Sequence, residues 1–277
     1  MYALKFVWDP SKGIEIGSFT LHYYSMMWIV AFVIGFYIMK KIYKNEKQSN
    51  DSLDSLFIYS VLGIMIGARL GHVFFYQREL ITQDFFSIFL PFKFAGGFEF
   101  TGFQGLASHG AAIGMIISMY LYNKKILKKS ILWILDRVVV PVALGAVFVR
   151  LGNFINSEII GKPTGTDFGV VFKQLAVEDQ VPRHPSQLYE AGAYVLVFLI
   201  LLYTYWKTKK ANQTGFMFGL FLVLLWTVRF FVEFLKEPQG DEYITLFGLN
   251  TGQLLSIPLI LVGLYFMFAF KPKSSKA

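Results

Sequence analysis

The sequence predicts an all-α polytopic membrane protein: seven transmembrane helices, an interfacial arm and a small periplasmic cap. Composition is the first reason, since 55% of the 277 residues are hydrophobic and only 16% charged, against about 25% charged in a soluble domain. The second is a series of apolar runs at about 20–40, 54–76, 105–123, 131–153, 188–206, 215–235 and 252–270, each close to the roughly 20 residues that cross a bilayer core. The third is where the lysines fall. Lys40, Lys41, Lys44 and Lys47 follow the first run, Lys124, Lys125, Lys128 and Lys129 the third, Lys207, Lys209 and Lys210 the fifth, and Lys271, Lys273 and Lys276 the last. The alternate joints are poorer in positive charge, so the positive-inside rule puts the amino terminus outside and the carboxyl terminus in the cytoplasm.

The net charge of +8 is carried by those joints, and this placement argues against nucleic acid as a partner. The absence of cysteine excludes disulfides, Cys-ligated zinc and a cysteine nucleophile. A cleavable leader is not expected, because the first apolar run follows a segment containing Trp8, Asp9, Pro10 and Glu15 rather than a short basic start. The whole chain, 1–277, reads as one membrane domain. Within it, 78–104 is the interfacial arm, rich in Phe85, Phe86, Phe89, Phe92 and Phe94, and 154–187, with its Gly and Pro residues, is the periplasmic cap, irregular or β-containing. No internal repeat supports an inverted-repeat transporter.

Titratable groups inside apolar runs are costly and mark functional sites by default. Placed by the expected topology, Tyr24, Arg69, His72, His109, Arg150, Asn153, His184, Tyr189, Arg229 and Glu233 all fall toward the outer leaflet. Asp54, Asp136 and Arg137 fall near the inner surface, where an ion pair or snorkelling accounts for them. Arginine remains charged when desolvated and grips phosphate with two parallel donors, so Arg150 and Arg229 suit an anionic lipid headgroup. His109 fits a general base or a hydrogen-bond donor. Structural readings stand beside these: an intrahelical Arg229–Glu233 pair at i,i+4, a small-residue packing face around Arg69, a belt position for Tyr24. Metal ligation is not expected, although Glu158 and His184 could meet.

The run Arg150-Leu151-Gly152-Asn153-Phe154-Ile155-Asn156-Ser157-Glu158-Ile159-Ile160-Gly161 resembles the signature of bacterial prolipoprotein diacylglyceryl transferases. Four further segments resemble the same family in the same order: Gly67–Tyr76, Ser108–Gly110, Arg183–Glu190 and Arg229–Phe234. The resemblance implies transfer of the diacylglyceryl group of phosphatidylglycerol to the lipobox cysteine in the signal peptide of a preprolipoprotein, at a bacterial inner membrane and without a cofactor. It implies catalytic roles for His109, Arg150, Arg229 and Tyr24, and substrate binding by Arg150, Asn153, Glu158, Gly161, Arg229, Glu233, Arg69, His184 and Tyr189. For His109, proton transfer and an orienting hydrogen bond to the headgroup fit equally well.

The sequence departs from the family pattern at Val149, Ala111 and Ser25, where glycine is usual, and at Leu225-Trp226, where a Tyr-Gly pair is usual. A phenol at 225 is therefore missing, and Tyr189 or Tyr243 are the residues considered for its place. The competing functions are a phospholipid-binding transporter that performs no chemistry and a lipoprotein-binding scaffold.

Overall fold

The computed structural model describes residues 5–17, 19–90, 92–94, 97–100, 105, 107–238 and 248–271. Eight helices and six short strands follow one another among them. They are β1 (Lys5–Trp8), β2 (Gly13–Ile16), β3 (Phe19–His22), α1 (Tyr23–Asn45), α2 (Asn50–Tyr76), α3 (Leu80–Gln83), β4 (Phe92–Lys93), β5 (Glu99–Phe100), α4 (Ser108–Tyr122), α5 (Ile131–Ile155), β6 (Gly169–Phe172), α6 (Ser186–Lys207), α7 (Phe216–Val232) and α8 (Thr251–Leu264).

Six helical segments are long and apolar enough to cross a membrane: Tyr23–Asn45, Asn50–Tyr76, Ile131–Ile155, Ser186–Lys207, Phe216–Leu235 and Thr251–Ala269. They coincide closely with six of the expected runs. The remaining run, 105–123, holds the 15-residue α4, continued by a π-helical turn over Asn123–Leu127. The fold is mostly helical, with strands forming three two-stranded ribbons; strand was expected only within 154–187, where β6 lies, and not in the leader or the 78–104 segment. β1 lies parallel to β6, Lys5 opposite Gly169 through Trp8 opposite Phe172. β2–β3 and β4–β5 are antiparallel. Strands of two to four residues carry too little alternation to be read from sequence, and the β1–β6 partners are remote in the chain.

The chain forms two compact units, Lys40–Ile134 and a second made of Met1–Met39 with Leu135–Ala277. In the first, α2 and α4 meet along small residues. A Cβ added to Gly67 would collide with the Gly110 carbonyl, and one added to Gly71 would stand 2.7 Å from the Gly110 Cα. Such close backbone approach is how helices associate where lipid removes the hydrophobic drive. The Ala107 N–H donates to the Ala68 carbonyl at 2.9 Å. Farther along, the Tyr43 and Tyr122 hydroxyls are 2.9 Å apart, and Tyr122 donates to the Ser52 carbonyl at 2.9 Å.

In the second unit, Asp136 is fully buried on α5. Its carboxylate accepts from the backbone N–H of Gly215 at 2.7 Å and of Phe218 at 2.9 Å, so it caps the start of α7 from another helix. Arg137 lies 3.9 Å from it. Asp136 thus serves a structural role, capping α7. α8 begins with a reciprocal cap between Asn250 and Gln253, which satisfies two otherwise free N–H groups at the helix start. α7 and α8 then pass closely, since a Cβ on Gly219 would stand 2.6 Å from the Gly263 carbonyl oxygen.

Gly110→Leu is expected to lower the melting temperature of the detergent-solubilised protein by the equivalent of about 1–3 kcal/mol, the usual cost of overpacking. Gly192→Leu, at a glycine whose Cβ would meet nothing within 4 Å, is expected to leave it nearly unchanged.

Candidate functional site

The site in the second unit is built where α5 ends. The last turn closes through Asn156 N–H to the Gly152 carbonyl (3.0 Å) and Glu158 N–H to the Asn153 carbonyl (2.9 Å). Ser157 and Ile159 then take left-handed backbone angles, φ 55° and 56°, which are unfavourable for a β-branched residue and occur where surrounding structure enforces them. The chain after them is held on both sides. Gly161 N–H donates to the His184 carbonyl (3.1 Å) and His184 N–H to the Lys162 carbonyl (3.0 Å). On the other side Lys162 N–H donates to the Leu235 carbonyl (2.8 Å) and Glu237 N–H to the Ile160 carbonyl (3.0 Å). Gly161 sits in the middle, where a Cβ would stand 2.7 Å from the His184 Cβ and 2.9 Å from the Leu235 oxygen. A glycine is required there by space.

This zipper ties α6 and the end of α7 to the end of α5, and their charged side chains interlock. Arg150 Nε pairs with Glu190 Oε2 at 2.8 Å, and its Nη1 donates to Asn153 Oδ1 at 3.1 Å. Asn153 Nδ2 donates in turn to Glu158 Oε2 at 3.2 Å, while Asn156 Nδ2 donates to Glu158 Oε1 at 3.1 Å. Lys236 Nζ donates to Glu190 Oε1 at 2.9 Å and to Glu233 Oε2 at 3.3 Å. The Tyr194 hydroxyl donates to Glu190 Oε1 at 3.3 Å. Glu190 is fully buried, and Lys236, Asn153 and Glu233 are nearly so. Gly252, at the start of α8, packs against the Glu233 carboxylate, where a Cβ would stand 2.6 Å from Cδ.

Arg229 is different. Among the described residues it makes no ion pair, its Nε is buried with no hydrogen-bond partner, and its guanidinium lies 5.4 Å from the Trp226 ring centre. Its charge and those of Arg150 and Glu190 all act on the Tyr194 hydroxyl. Glu233 does not pair with Arg229 although its backbone N–H still bonds the Arg229 carbonyl; Lys236 takes the carboxylate.

The other expected residues have these surroundings. Tyr24 lies with its ring against Gly152, where a Cβ would stand 2.7 Å from Cδ2. His184 Nδ1 is 3.3 Å from the Tyr189 hydroxyl. In the first unit, Arg69 holds backbone carbonyls: Nε donates to Ile88 (3.1 Å), Nη2 to Ser87 (2.7 Å) and Nη1 to Gly105 (3.4 Å). His109 is exposed on the first turn of α4. Of the departures, Leu225 packs against the cluster of Val147, Ala191 and Tyr194, so a phenol stands beside the position that lacks one. Tyr243 lies outside the described residues.

A family model described as prolipoprotein diacylglyceryl transferase matches residues 12–269. The chain belongs to the prolipoprotein diacylglyceryl transferase family. Among curated relatives, a phosphatidylglycerol–prolipoprotein diacylglyceryl transferase of Bacteroides fragilis is 41% identical over 97% of this chain and 96% of its own length. Proteins of the same name from Tolumonas auensis (39% identical, 92% and 93% covered) and Chloroherpeton thalassium (38%, 94% and 92%) are similar. With six helices suited to crossing a bilayer, this member of the transferase family is a multi-pass membrane protein.

Sequence reasoning missed Glu190, Lys236, Tyr194 and Gln187. Glu190 closes the Arg183–Glu190 segment, and Lys236 continues the alternation of Arg229 and Glu233. That alternation was the available signal, since buried charges need opposite partners. Removing one charge of a buried pair strands the other, at about 3–5 kcal/mol. Glu190→Gln is expected to lower unfolding stability on that scale. Asp179→Asn, at a carboxylate 55% exposed in its pair with Arg183, is expected to cost about 1 kcal/mol or less. Chemical denaturation in detergent measures both.

Proposed function

We propose that this chain transfers the diacylglyceryl group of phosphatidylglycerol to the lipobox cysteine thiol in the signal peptide of a preprolipoprotein, the first step of bacterial lipoprotein modification. The names of its relatives support the reaction, and one observation supports the site: Arg229 carries a buried N–H without a partner among the described residues, beside a network whose other cations are paired. A half-buried guanidinium with no ion pair among the described residues invites an anion, and a phosphate diester supplies one with the geometry that arginine grips.

Arg150 is oriented by Glu190 through Nε and by Asn153 through Nη1, so its Nη2 side serves the same phosphate. The cysteine sulfur attacks the glyceryl carbon bonded to the phosphate oxygen. A C–S thioether bond forms, that C–O bond breaks, and glycerol phosphate leaves with the electron pair. The two arginines stabilise charge that grows on the departing phosphate. A thiol with a pKa near 8.5 is mostly protonated at neutral pH, so its proton must be accepted. The family resemblance implies catalytic roles for Tyr24 and for His109, which either accepts that proton or orients the headgroup. The resemblance also implies substrate binding by Asn153, Glu158, Gly161, Glu233, His184 and Tyr189 and, in the other unit, by Arg69. No step requires a cofactor.

The same reading makes α4, with its π-helical turn, the seventh span. It makes 78–104 the interfacial arm and 154–187 the periplasmic cap, in a bacterial inner membrane with the amino terminus outside and the carboxyl terminus cytoplasmic. The exposed Phe85, Phe86, Phe89, Phe94 and Phe98 suit headgroup depth.

Purified protein, a lipobox peptide and phosphatidylglycerol in detergent are expected to yield the diacylglyceryl mass increment on cysteine. Arg229→Lys keeps the charge but loses the fork, and is expected to slow transfer at least about tenfold. His109→Gln is expected to slow it about a hundredfold or more if proton transfer is lost; a smaller effect assigns His109 to orienting the headgroup. Absence of any mass gain with intact lipid binding would support the non-catalytic transporter or scaffold.

A further inference from the structure

Ser157 Oγ, just past the end of α5, and Gln187 Oε1, in the first turn of α6, are buried without a hydrogen-bond partner among the described residues. Gln187 is fully buried, and its amide is not free to turn, because Nε2 donates to the Glu158 carbonyl at 2.6 Å. That bond aims Oε1 away from the backbone it holds. Ser157 directly precedes Glu158 and is kept in a left-handed conformation, φ 55°. The exposed Glu158 carboxylate receives a single amide N–H on each oxygen, from Asn153 and Asn156, leaving lone pairs on both.

The donor and acceptor balance of this group is lopsided. A carboxylate and an amide oxygen only accept, and the serine hydroxyl does either. Phosphate, which only accepts, is unsuited to it, whereas O–H groups suit it well. One residue, Asn153, links this acceptor cluster to Arg150, the residue assigned to phosphate. We propose that Ser157, Glu158 and Gln187 form a hydroxyl-reading subsite that takes the free hydroxyls of the lipid's terminal glycerol, and so selects phosphatidylglycerol among phospholipids. The proposal rests on the transferase reading and deepens it. The two arginines read the phosphate that every phospholipid has, and this subsite reads what distinguishes the donor. A site built to pair a substrate hydroxyl rejects the analogue lacking it, because its own buried groups are then left unpaired.

The test compares kcat/KM for transfer to a lipobox peptide from phosphatidylglycerol and from phosphatidylpropanol, which keeps the phosphate diester and its charge but has no terminal hydroxyl. The wild-type protein is expected to prefer phosphatidylglycerol strongly. Gln187→Met and Ser157→Gly are expected to reduce that preference about tenfold each, the scale of one buried hydrogen bond. Ser157→Gly is the informative variant, since glycine suits φ 55° and folding is not penalised. An unchanged ratio, with both donors slowed alike or not at all, would overturn the proposal and leave these atoms to buried water. Failure of the wild-type protein to use either donor would instead overturn the transferase reading on which the proposal rests.

Discussion

Everything at the site hangs on one buried carboxylate. Glu190, fully buried on α6, holds Arg150 of α5 with one oxygen and Lys236, beyond the end of α7, with the other. Two cations taken out of water would be untenable without it, and Glu190 would be untenable without them. Because each charge stands beside an opposite one, the network fixes side chains that in water would sample many rotamers. Its function is orientation more than stability: Arg150 presents a defined edge, and the spare positive charge is concentrated on Arg229.

The backbone supports this arrangement by unusual means for a helical protein. Gly161 threads between the His184 and Leu235 segments with room for no side chain, and this small extended zipper carries Lys236 to Glu190. Farther down the same unit, Asp136 grips the first turn of α7. α7 is therefore tethered at its start and beyond its end, and Arg229 sits on a helix with little freedom to slide. The left-handed Ser157 and Ile159 are where this construction is strained, and they flank Glu158, a residue assigned to substrate.

The long helices were legible from apolar run length, because a membrane leaves few alternatives for a run of that size. The ribbons were not, since β1 and β6 meet across most of the chain. At the site, Arg150, Asn153 and Glu158 were legible because they stand in one motif and bond one another directly. Glu190 and Lys236 were not singled out, because their significance comes only from pairing across helices. The i,i+4 spacing of Arg229 and Glu233 suggested a pair, but the Glu233 carboxylate is taken by Lys236. The missing phenol at 225 was visible in sequence, but not that Leu225 packs on Tyr194.

A structure determined with a non-cleavable phosphonate analogue of phosphatidylglycerol bound would test the central claim most directly. The account predicts the phosphonate oxygens within hydrogen-bond distance of Arg229 Nε and of the Nη2 side of Arg150, with the Arg150–Glu190–Lys236 chain intact. A phosphonate bound elsewhere, with Arg229 Nε still unpaired, would contradict it.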